Sequence, residues 1–475
     1  MMTRRNLNDL VTQESEADII LEVKNLNVHF FTRRGEIKAI RGINFYVKRG
    51  EVLGIVGESG SGKSVTALTL VDLLPSGIGC ITEGDILLNG ERISDTYKKE
   101  YRIIRRKKVK LSQKRTSRKV SNHVQNIRGH ISMIFQDPLT SLDPLYKVKA
   151  QMIESIMYNN RKMLIKRILE KDDIKKNKKD LVELLNFKGI QAFSEKITNL
   201  YGPDGFHQEL LMIENSSIGE TEKKTRIVKA LHALEPLDKH IIDSLNNQLN
   251  NLRKKVWRPN NSKKYRFTGK INRILLQEAE LYSIELLELV DMPHPDKVME
   301  SYPHELSGGM KQRVMIALGV ANKPDILIAD EPTTALDVIT QYQILYLLKT
   351  LNQKLGLTII FITHDLGVMA AIADRILVMY AGKISEIGPT KYILSEPLHP
   401  YTRGLLQSAP SISNKQVDLY SIPGQVPDLL NPPNGCSFAN RCSFATERCR
   451  NDPPTFNIKG RTVNCWLYEV KENES

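Results

Sequence analysis

A glycine-rich octapeptide constrains the fold of this 475-residue chain more than any other feature. It follows the apolar run EVLGIV, which predicts a strand, and precedes VTALTLVDLL, which predicts a helix. Glycines let backbone N–H groups wrap phosphate oxygens, and the helix N-terminus adds the positive end of its dipole. The order of strand, loop and helix therefore predicts a phosphate-binding loop, formed by Gly57, Glu58, Ser59, Gly60, Ser61, Gly62, Lys63 and Ser64.

Side chains that suit phosphate chemistry lie in this loop and after two other predicted strands. We expect Lys63 to reach the β- and γ-phosphates and the Ser64 hydroxyl to bind Mg²⁺. Asp330 and Glu331 follow the apolar strand ILIA, where the first suits a ligand of Mg²⁺-bound water and the second can polarise an attacking water. His364 follows the strand TIIFIT and is placed to contact a γ-phosphate.

The pattern of the whole chain predicts an α/β core with a largely parallel sheet. Short apolar runs with the character of strands alternate with helical stretches, among them GGMKQRVMIALGVA and the long helix from Val338 to Leu355. No apolar run approaches the ~18–20 residues that a membrane span needs, and the N-terminus lacks the apolar segment of a signal peptide. We therefore expect neither export nor a transmembrane helix.

The positive charge is concentrated in two polar segments. The net charge is +14, yet twelve Lys or Arg and a single acid lie between Lys98 and Lys119, and residues 160–275 are also rich in lysine. Outside these segments acidic residues outnumber basic ones. Charge runs of this kind are typical of solvated loops, while anionic lipid headgroups and RNA are alternative partners for the first segment.

Four cysteines lie close together near the C-terminus, in a segment rich in proline, glycine and asparagine. Their spacing is C-x5-C-x6-C-x15-C, formed by Cys436, Cys442, Cys449 and Cys465. In a chain that is not exported, such clustering favours a metal over disulfides. Four thiolates suit tetrahedral Zn²⁺ or an iron–sulfur cluster, and the spacing matches neither the usual zinc knuckle nor a ferredoxin. The cysteine pattern alone therefore leaves the metal open.

Further motifs occur in a fixed order with the phosphate-binding loop. Gln136 follows the strand ISMIF, the segment LSGGMKQ precedes Asp330, and Ala335, Leu336 and Asp337 follow the acid pair. Together with His364, these resemble the Q-loop, signature, D-loop and H-loop of ABC ATPases. Most of residues 19–390 thus resembles an ABC nucleotide-binding domain, whose fold combines a parallel-sheet core with antiparallel β and helical subdomains. Met310 departs from the glutamine that many members carry.

The resemblance implies how ATP and Mg²⁺ are bound. Glu331 would be the general base, His364 would contact the γ-phosphate, and Phe30, or alternatively Phe31, would stack on adenine. Val65 would join the residues of the loop in ATP binding, and Mg²⁺ would be held by Ser64, Gln136 and Asp330. The chain has one phosphate-binding loop and one signature, so ATP would lie between it and a partner ATPase. The signature would contact the ATP of the partner's site through Leu306, Ser307, Gly308, Gly309 and Met310, and Asp337 would belong to the D-loop.

A finer resemblance is to the D-type ATP-binding subunit of oligopeptide and dipeptide importers. It is carried by GESGSGKSVT, RGHISMIFQDPLTSLDP and YPHELSGGMKQRVMIA, and by the C-terminal stretches HPYTRGLLQSAP and IPGQVPDLLNPPNGCSFANRC. The resemblance implies ATP-driven import of oligopeptides at the cytoplasmic face of the membrane, with dipeptides, nickel or another small solute as alternatives. The implied partners are an F-type ATPase subunit, two transmembrane permease subunits and, indirectly, an extracytoplasmic solute-binding protein.

The resemblance also divides the chain into regions. It implies an N-terminal tail (1–18), a nucleotide-binding domain (19–390) and a C-terminal region (391–475), with additional segments at about 95–126 and 160–275. Proteins with a similar C-terminal region carry a [4Fe–4S] cluster, so the resemblance implies one at the four cysteines, with Zn²⁺ as the alternative. Cys80 is expected to be an ordinary buried or semi-exposed residue.

Two other functions fit parts of the sequence. The basic segments and the cysteines suit an ABC ATPase that acts on nucleic acid, but the cysteines lie after the ATPase motifs and the chain has a single set of motifs. We therefore expect no nucleic-acid partner. A subunit that binds ATP without hydrolysing it is disfavoured, because Ser64, Gln136, Glu331 and His364 are all present.

Overall fold

The computed structural model describes residues 18–75, 78–94, 100–104, 108–112, 129–136, 141–176, 213, 219–233, 242, 245, 270–334, 336–408 and 421–469. Contacts divide the chain into two compact units, residues 1–141 together with 323–475, and residues 142–322. Ala335, the N-terminal tail up to residue 17 and most of the two additional segments lie outside the described residues.

The first unit is built on strands, with short helices between them. Its strands are β1 (Ile19–Thr32), β2 (Gly35–Lys48), β3 (Val52–Val56), β4 (Gly79–Leu88), β5 (Glu91–Arg92), β6 (Glu100–Ile104), β7 (Lys108–Ser112), β8 (Ile131–Ile134), β9 (Ile326–Asp330), β10 (Thr358–Ile362), β11 (Arg375–Tyr380), β12 (Lys383–Pro389), β13 (Thr455–Ile458) and β14 (Arg461–Asn464). Its helices are Lys63–Leu70, Val338–Leu355, Leu366–Ile372, Thr390–Ser395 and Pro400–Ser408.

An eight-stranded sheet forms the centre of this unit. The strand order is β13-β14-β12-β11-β3-β10-β9-β8, and β11, β3, β10, β9 and β8 run parallel to one another. Strands β3, β9 and β10 are buried along their whole length, which explains why they are continuous apolar runs in the sequence. Because parallel strands end at the same edge, the segments that follow β3, β9 and β10 are brought together there.

A second, antiparallel sheet has the order β2-β1-β4-β5 and packs against the same core. Its first two strands are paired over most of their length, from Ile19 opposite Lys48 to Thr32 opposite Gly35. A separate hairpin, β6 with β7, lies in the described part of the first additional segment. The predicted α/β core with its largely parallel sheet and antiparallel β portion is confirmed.

The second unit is helical in its described part. Its helices are Val148–Asn159, Arg161–Lys176, Glu220–Ala233, Lys270–Leu289, Pro295–Glu300 and Gly308–Val320. Helix Arg161–Lys176 begins the second additional segment and contacts helix Lys270–Leu289 through a fully buried arginine. Arg167 donates to Glu278 at 2.8 Å and to Glu285 at 2.5 Å. This end of the segment is therefore part of a packed helical unit. The sequence predicts only scattered helical pieces in the segment.

The positions of the main elements agree with those that the sequence predicts. The helix after the phosphate-binding loop, the helix from Gly308, the helix Val338–Leu355 and strands β9, β10 and β11 are all present. Of the two expected environments of Cys80, the structure shows the buried one. Among the described residues, every helix is too short or too polar to span a bilayer.

Candidate nucleotide site

The phosphate-binding loop joins the end of β3 to helix Lys63–Leu70, as the sequence predicts. Gly57 has φ 156°, and a Cβ at this position would lie 2.2 Å from the carbonyl oxygen of Met379. Gly62 has φ 107° and forms the N-cap of the helix. No residue with a side chain fits either position without strain, so the glycines are required by the path of the backbone.

Lys63 and Ser61 point polar groups into the loop. The Nζ atom of Lys63 donates to the carbonyl oxygens of Gly57 at 2.8 Å and Glu58 at 3.1 Å. Burial lowers the pKa of Lys63, and the charges of Glu331, Asp330 and Glu58 oppose that shift. The Ser61 hydroxyl oxygen is buried with no hydrogen-bond partner among the described residues. A buried unpaired hydroxyl beside a lysine fits the binding of phosphate oxygens, which would satisfy both groups.

The predicted Mg²⁺ ligands Ser64 and Asp330 are adjacent. The Ser64 hydroxyl donates to Asp330 Oδ1 at 3.2 Å. Burial raises the pKa of Asp330, the hydrogen bond from Ser64 opposes this shift, and the neighbouring charge of Glu331 adds to it. Mg²⁺ prefers oxygen ligands such as hydroxyl and carboxylate groups, so Ser64 and Asp330 fit the ion.

The side chain of Glu331 contacts two other residues that the sequence predicts for the site, Gln136 and His364. Its Oε2 accepts hydrogen bonds from Gln136 Nε2 at 2.8 Å and from Thr334 Oγ1 at 3.1 Å, while its Oε1 lies 3.2 Å from His364 Nδ1. Glu331 has φ 46°, a left-handed conformation that is uncommon outside glycine. Its backbone N–H donates to Ile362 O at the end of β10, which anchors the residue in this conformation.

Two further predicted residues, Phe30 and Asp337, make contacts of their own. Phe30 is partly buried and packs against the hydrophobic core, and Phe31 follows it on β1. Asp337 caps helix Val338–Leu355 by accepting from Thr340 N at 3.0 Å and Thr340 Oγ1 at 2.6 Å. The hydrogen bond from the Thr340 hydroxyl, with that from its N–H, lowers the pKa of Asp337. The roles of Phe30 and Asp337 with nucleotide stay predictions.

The signature lies in the helical unit, at the start of helix Gly308–Val320. Ser307 is the N-cap, and its hydroxyl accepts from the N–H of Met310 at 3.3 Å. Leu306 is buried, whereas Ser307 and Gly308 are exposed. The first turn of this helix thus presents backbone N–H groups and a serine to solvent, as an anion site would require.

The four C-terminal cysteines line one small cavity of about 40 Å³, together with Phe438, Phe444 and Trp466. None of the four forms a disulfide. Burial raises the pKa of Cys436 and Cys442, and it raises that of Cys465 to about 11. Among the described residues, no group of three or more His, Cys, Asp or Glu side chains is arranged to hold a metal ion. A [4Fe–4S] cluster or Zn²⁺ at these four cysteines stays a prediction.

The sequence did not predict some of the hydrogen bonds to Glu331 and Glu58. Thr334, which donates to Glu331, lies three residues after it and belongs to none of the predicted motifs. Arg441 and Tyr401 contact Glu58 from more than 340 positions away, and no spacing in the sequence signals that contact.

Residues 40–334 match the ABC transporter family, and residues 385–449 match the C-terminal region of oligopeptide/dipeptide transporters. The chain belongs to the ABC transporter family. It is 36% identical to the oligopeptide transport ATP-binding protein OppD of Bacillus subtilis, over 94% of this chain and 88% of that protein. It is 34% identical to the dipeptide transport ATP-binding protein DppD of the same organism, over 95% of this chain and 96% of that protein.

A third relative is the OppD protein of Haemophilus influenzae, 33% identical over 96% of this chain and 99% of that protein. The predicted ATPase family is therefore confirmed, and so is the likeness to ATP-binding proteins of oligopeptide and dipeptide transport. Membership in this family makes the chain an ATPase that binds ATP.

Proposed function

We propose that this chain is the ATP-hydrolysing, energy-coupling subunit of an importer for oligopeptides. The single observation that carries the chemistry is the group of Gln136, Glu331 and His364 at the edge of the sheet, beside the pair Ser64 and Asp330. The relatives named for oligopeptide and dipeptide transport supply the solute class. Dipeptides or another small solute such as nickel are the alternatives.

In this proposal each residue at the sheet edge has one task. The backbone of the loop from Gly57 to Gly62 and the Nζ atom of Lys63 bind phosphate oxygens. Ser64, Gln136 and Asp330 hold Mg²⁺, which when bound screens the negative charge of the phosphates.

Glu331 orients the attacking water and accepts its proton, which a carboxylate fixed by three neighbours does without reorganising. In the proposal His364, whose Nδ1 lies 3.2 Å from Glu331 Oε1, donates to a phosphate oxygen.

We propose that this chain works with partner subunits at a membrane. Because one chain carries one phosphate-binding loop and one signature, we propose a second ATPase subunit, of the F type, whose signature completes the site. Asp337 and residues 306–310 would serve the partner's nucleotide in return. Two permease subunits would bind the pair at the cytoplasmic face of the membrane, and a solute-binding protein would act through them. We propose that the nucleotide-binding domain spans residues 19–390 and the C-terminal region residues 391–475. We propose no nucleic-acid partner.

ATP turnover by the assembled complex tests the function. The chain is reconstituted with its membrane subunits and solute-binding protein, and hydrolysis is measured with and without a mixed pool of peptides. Stimulation by peptides and none by RNA or DNA is the expected result. Stimulation by nucleic acid but not by peptides would contradict the importer and favour a nucleic-acid-acting ATPase.

A [4Fe–4S] cluster at the four cysteines is a separate part of the proposal, with Zn²⁺ as the alternative. The convergence of four unpaired thiols on one cavity supports it. The expected content is four iron atoms per chain in protein purified without oxygen, and Cys442→Ser should lose them. Replacing the buried Cys80 by Ser is the matched control and should leave the iron in place. Iron and zinc contents that Cys442→Ser does not alter would contradict this assignment of the ligands.

A further inference from the structure

Glu58, the second residue of the phosphate-binding loop, is contacted at its side chain and its backbone by the C-terminal region. Arg441 Nη1 donates to Glu58 Oε2 at 2.7 Å, and Nη2 donates to Oε1 at 3.1 Å. The backbone N–H of Glu58 donates to the hydroxyl of Tyr401 at 2.8 Å. Because Lys63 also donates to the Glu58 carbonyl oxygen, every polar group of Glu58 has a partner.

Arg441 itself is held in one orientation. Its Nε donates to Pro423 O at 2.9 Å, its Nη2 donates to Ile422 O at 3.0 Å, and its Nη1 donates to the Tyr380 hydroxyl at 3.1 Å. The side chain of Arg441 is only 6% exposed. A planar guanidinium fixed in this way presents two parallel N–H groups to a carboxylate, which a lysine cannot do.

The turn that carries Arg441 links the loop to the four cysteines. Arg441 ends the 3-10 turn Ala439–Arg441, and the next residue is Cys442. The turn is closed by hydrogen bonds from Ala439 N to Cys436 O and from Cys442 N to Ala439 O. The contact with Glu58 is therefore made from a backbone segment that has a thiol of the cavity at each end.

The charge of Glu58 explains why such a contact matters for nucleotide. Glu58 is the only acid of the octapeptide, and a carboxylate on a loop that receives phosphates opposes their binding unless it is paired. With Arg441 in place, the charge of Glu58 is neutralised and its carboxylate is held in one position.

We infer that Arg441 is a positioning residue of the nucleotide site, which holds and neutralises Glu58 so that the C-terminal region contributes to ATP affinity. The inference rests on the proposed function only in that ATP is the nucleotide bound. It assigns to the C-terminal region a role at the phosphates that does not depend on the transported solute.

The test uses the full chain in the reconstituted complex and two readouts, the KM and kcat of ATP hydrolysis without peptide and the Kd of ATP for the chain. Arg441→Gln is expected to raise both KM and Kd about tenfold, with kcat changed by less than about twofold. The KM and Kd of Arg441→Lys should lie between those of the wild type and of Arg441→Gln, because lysine keeps the charge and loses the two-point contact. Arg450→Gln is the matched control, since Arg450 is an exposed arginine of the same region, and it should match the wild type.

A double variant separates positioning from a merely structural role. Replacing Glu58 by Gln in the Arg441→Gln chain removes the uncompensated carboxylate, so it should recover most of the lost ATP affinity. An equal loss of ATP affinity in Arg441→Gln and in the double variant would overturn the inference. An unchanged Kd of ATP in Arg441→Gln would also overturn it. Failure of peptides to stimulate hydrolysis would overturn the proposed function and leave these nucleotide measurements as the test of Arg441.

Discussion

The nucleotide edge of the eight-stranded sheet and the C-terminal region are organised by interactions of different range. At the nucleotide edge, consecutive residues form the phosphate-binding loop, and paired parallel strands bring Asp330, Glu331 and His364 to the same side. Residues 421–469, by contrast, contain two four-residue strands and three short 3-10 turns. Side chains from distant parts of the chain hold this region in place.

The contacts of individual arginines make this difference concrete. Arg41 on β2 donates to Ser437 Oγ at 2.9 Å and to Pro433 O at 2.8 Å, and Arg441 donates to Glu58 across 383 positions of sequence. Strand β14 joins the large sheet by pairing with β12. The C-terminal region is thus fixed to the ATPase core by pairs that only the folded chain brings together, whereas the loop is shaped by its own backbone.

Replacing Glu331 by Gln should have the largest effect, and it tests the chemistry of the nucleotide edge alone. The amide keeps the hydrogen bond to Thr334 but cannot accept the proton of water, so hydrolysis should fall by at least about 10²-fold while ATP binding is kept. Turnover in the assembled complex and nucleotide binding measure the two properties. Glu305→Gln, at an exposed glutamate, is the control, and normal turnover in Glu331→Gln would remove Glu331 from its role.

Much of the nucleotide edge could be predicted because its determinants are local. The loop, the acid pair and the histidine each follow a buried apolar run, and the carboxyl ends of parallel strands meet. The residue types do not signal the left-handed backbone of Glu331 or its hydrogen bonds to Gln136 and Thr334. Arg441 and Tyr401 could not be predicted as partners of Glu58, because their positions depend on the packing of a region with little regular structure.

A substitution in the loop tests whether its shape is set by its own backbone. Gly57→Ala places a Cβ 2.2 Å from Met379 O, so it should lower the free energy of unfolding by about 3 kcal/mol and weaken ATP binding. Gly50→Ala is the matched control. Gly50 also has a positive φ, but an added Cβ meets no atom within 4 Å, and the cost should be about 1 kcal/mol. Chemical denaturation measures both values, and equal costs would contradict the account of the loop.

The smallest expected effect concerns the pH dependence of the C-terminal region. Burial, with a smaller contribution from the charge of Arg403, lowers the pKa of His399 from 6.5 to about 3, and its Nδ1 accepts from Tyr401 N at 3.0 Å. The neutral form is therefore favoured by folding. Its stabilising contribution is complete above pH 6.5 and is lost as the pH falls from 6.5 toward 3, because the unfolded chain binds the additional proton.

Between pH 7.5 and 5.5 the free energy of unfolding should fall by about 1 kcal/mol more in the wild type than in His399→Gln. Chemical denaturation at the two pH values measures the difference. His294→Gln, at an exposed histidine, should follow the wild type. The same pH dependence in the wild type and in His399→Gln would show that this histidine does not couple protonation to the fold of the C-terminal region.

ATP-driven uptake of a labelled oligopeptide into proteoliposomes tests the central claim most directly. The complex is reconstituted with the chain on the inner face of the vesicles, where ATP is enclosed. Uptake is compared between the wild type and Glu331→Gln. We expect accumulation of peptide with the wild type and none above background with Glu331→Gln, because hydrolysis at Glu331 supplies the energy. Equal accumulation in both, or ATP hydrolysis by the wild type with no accumulation of peptide, would contradict the account.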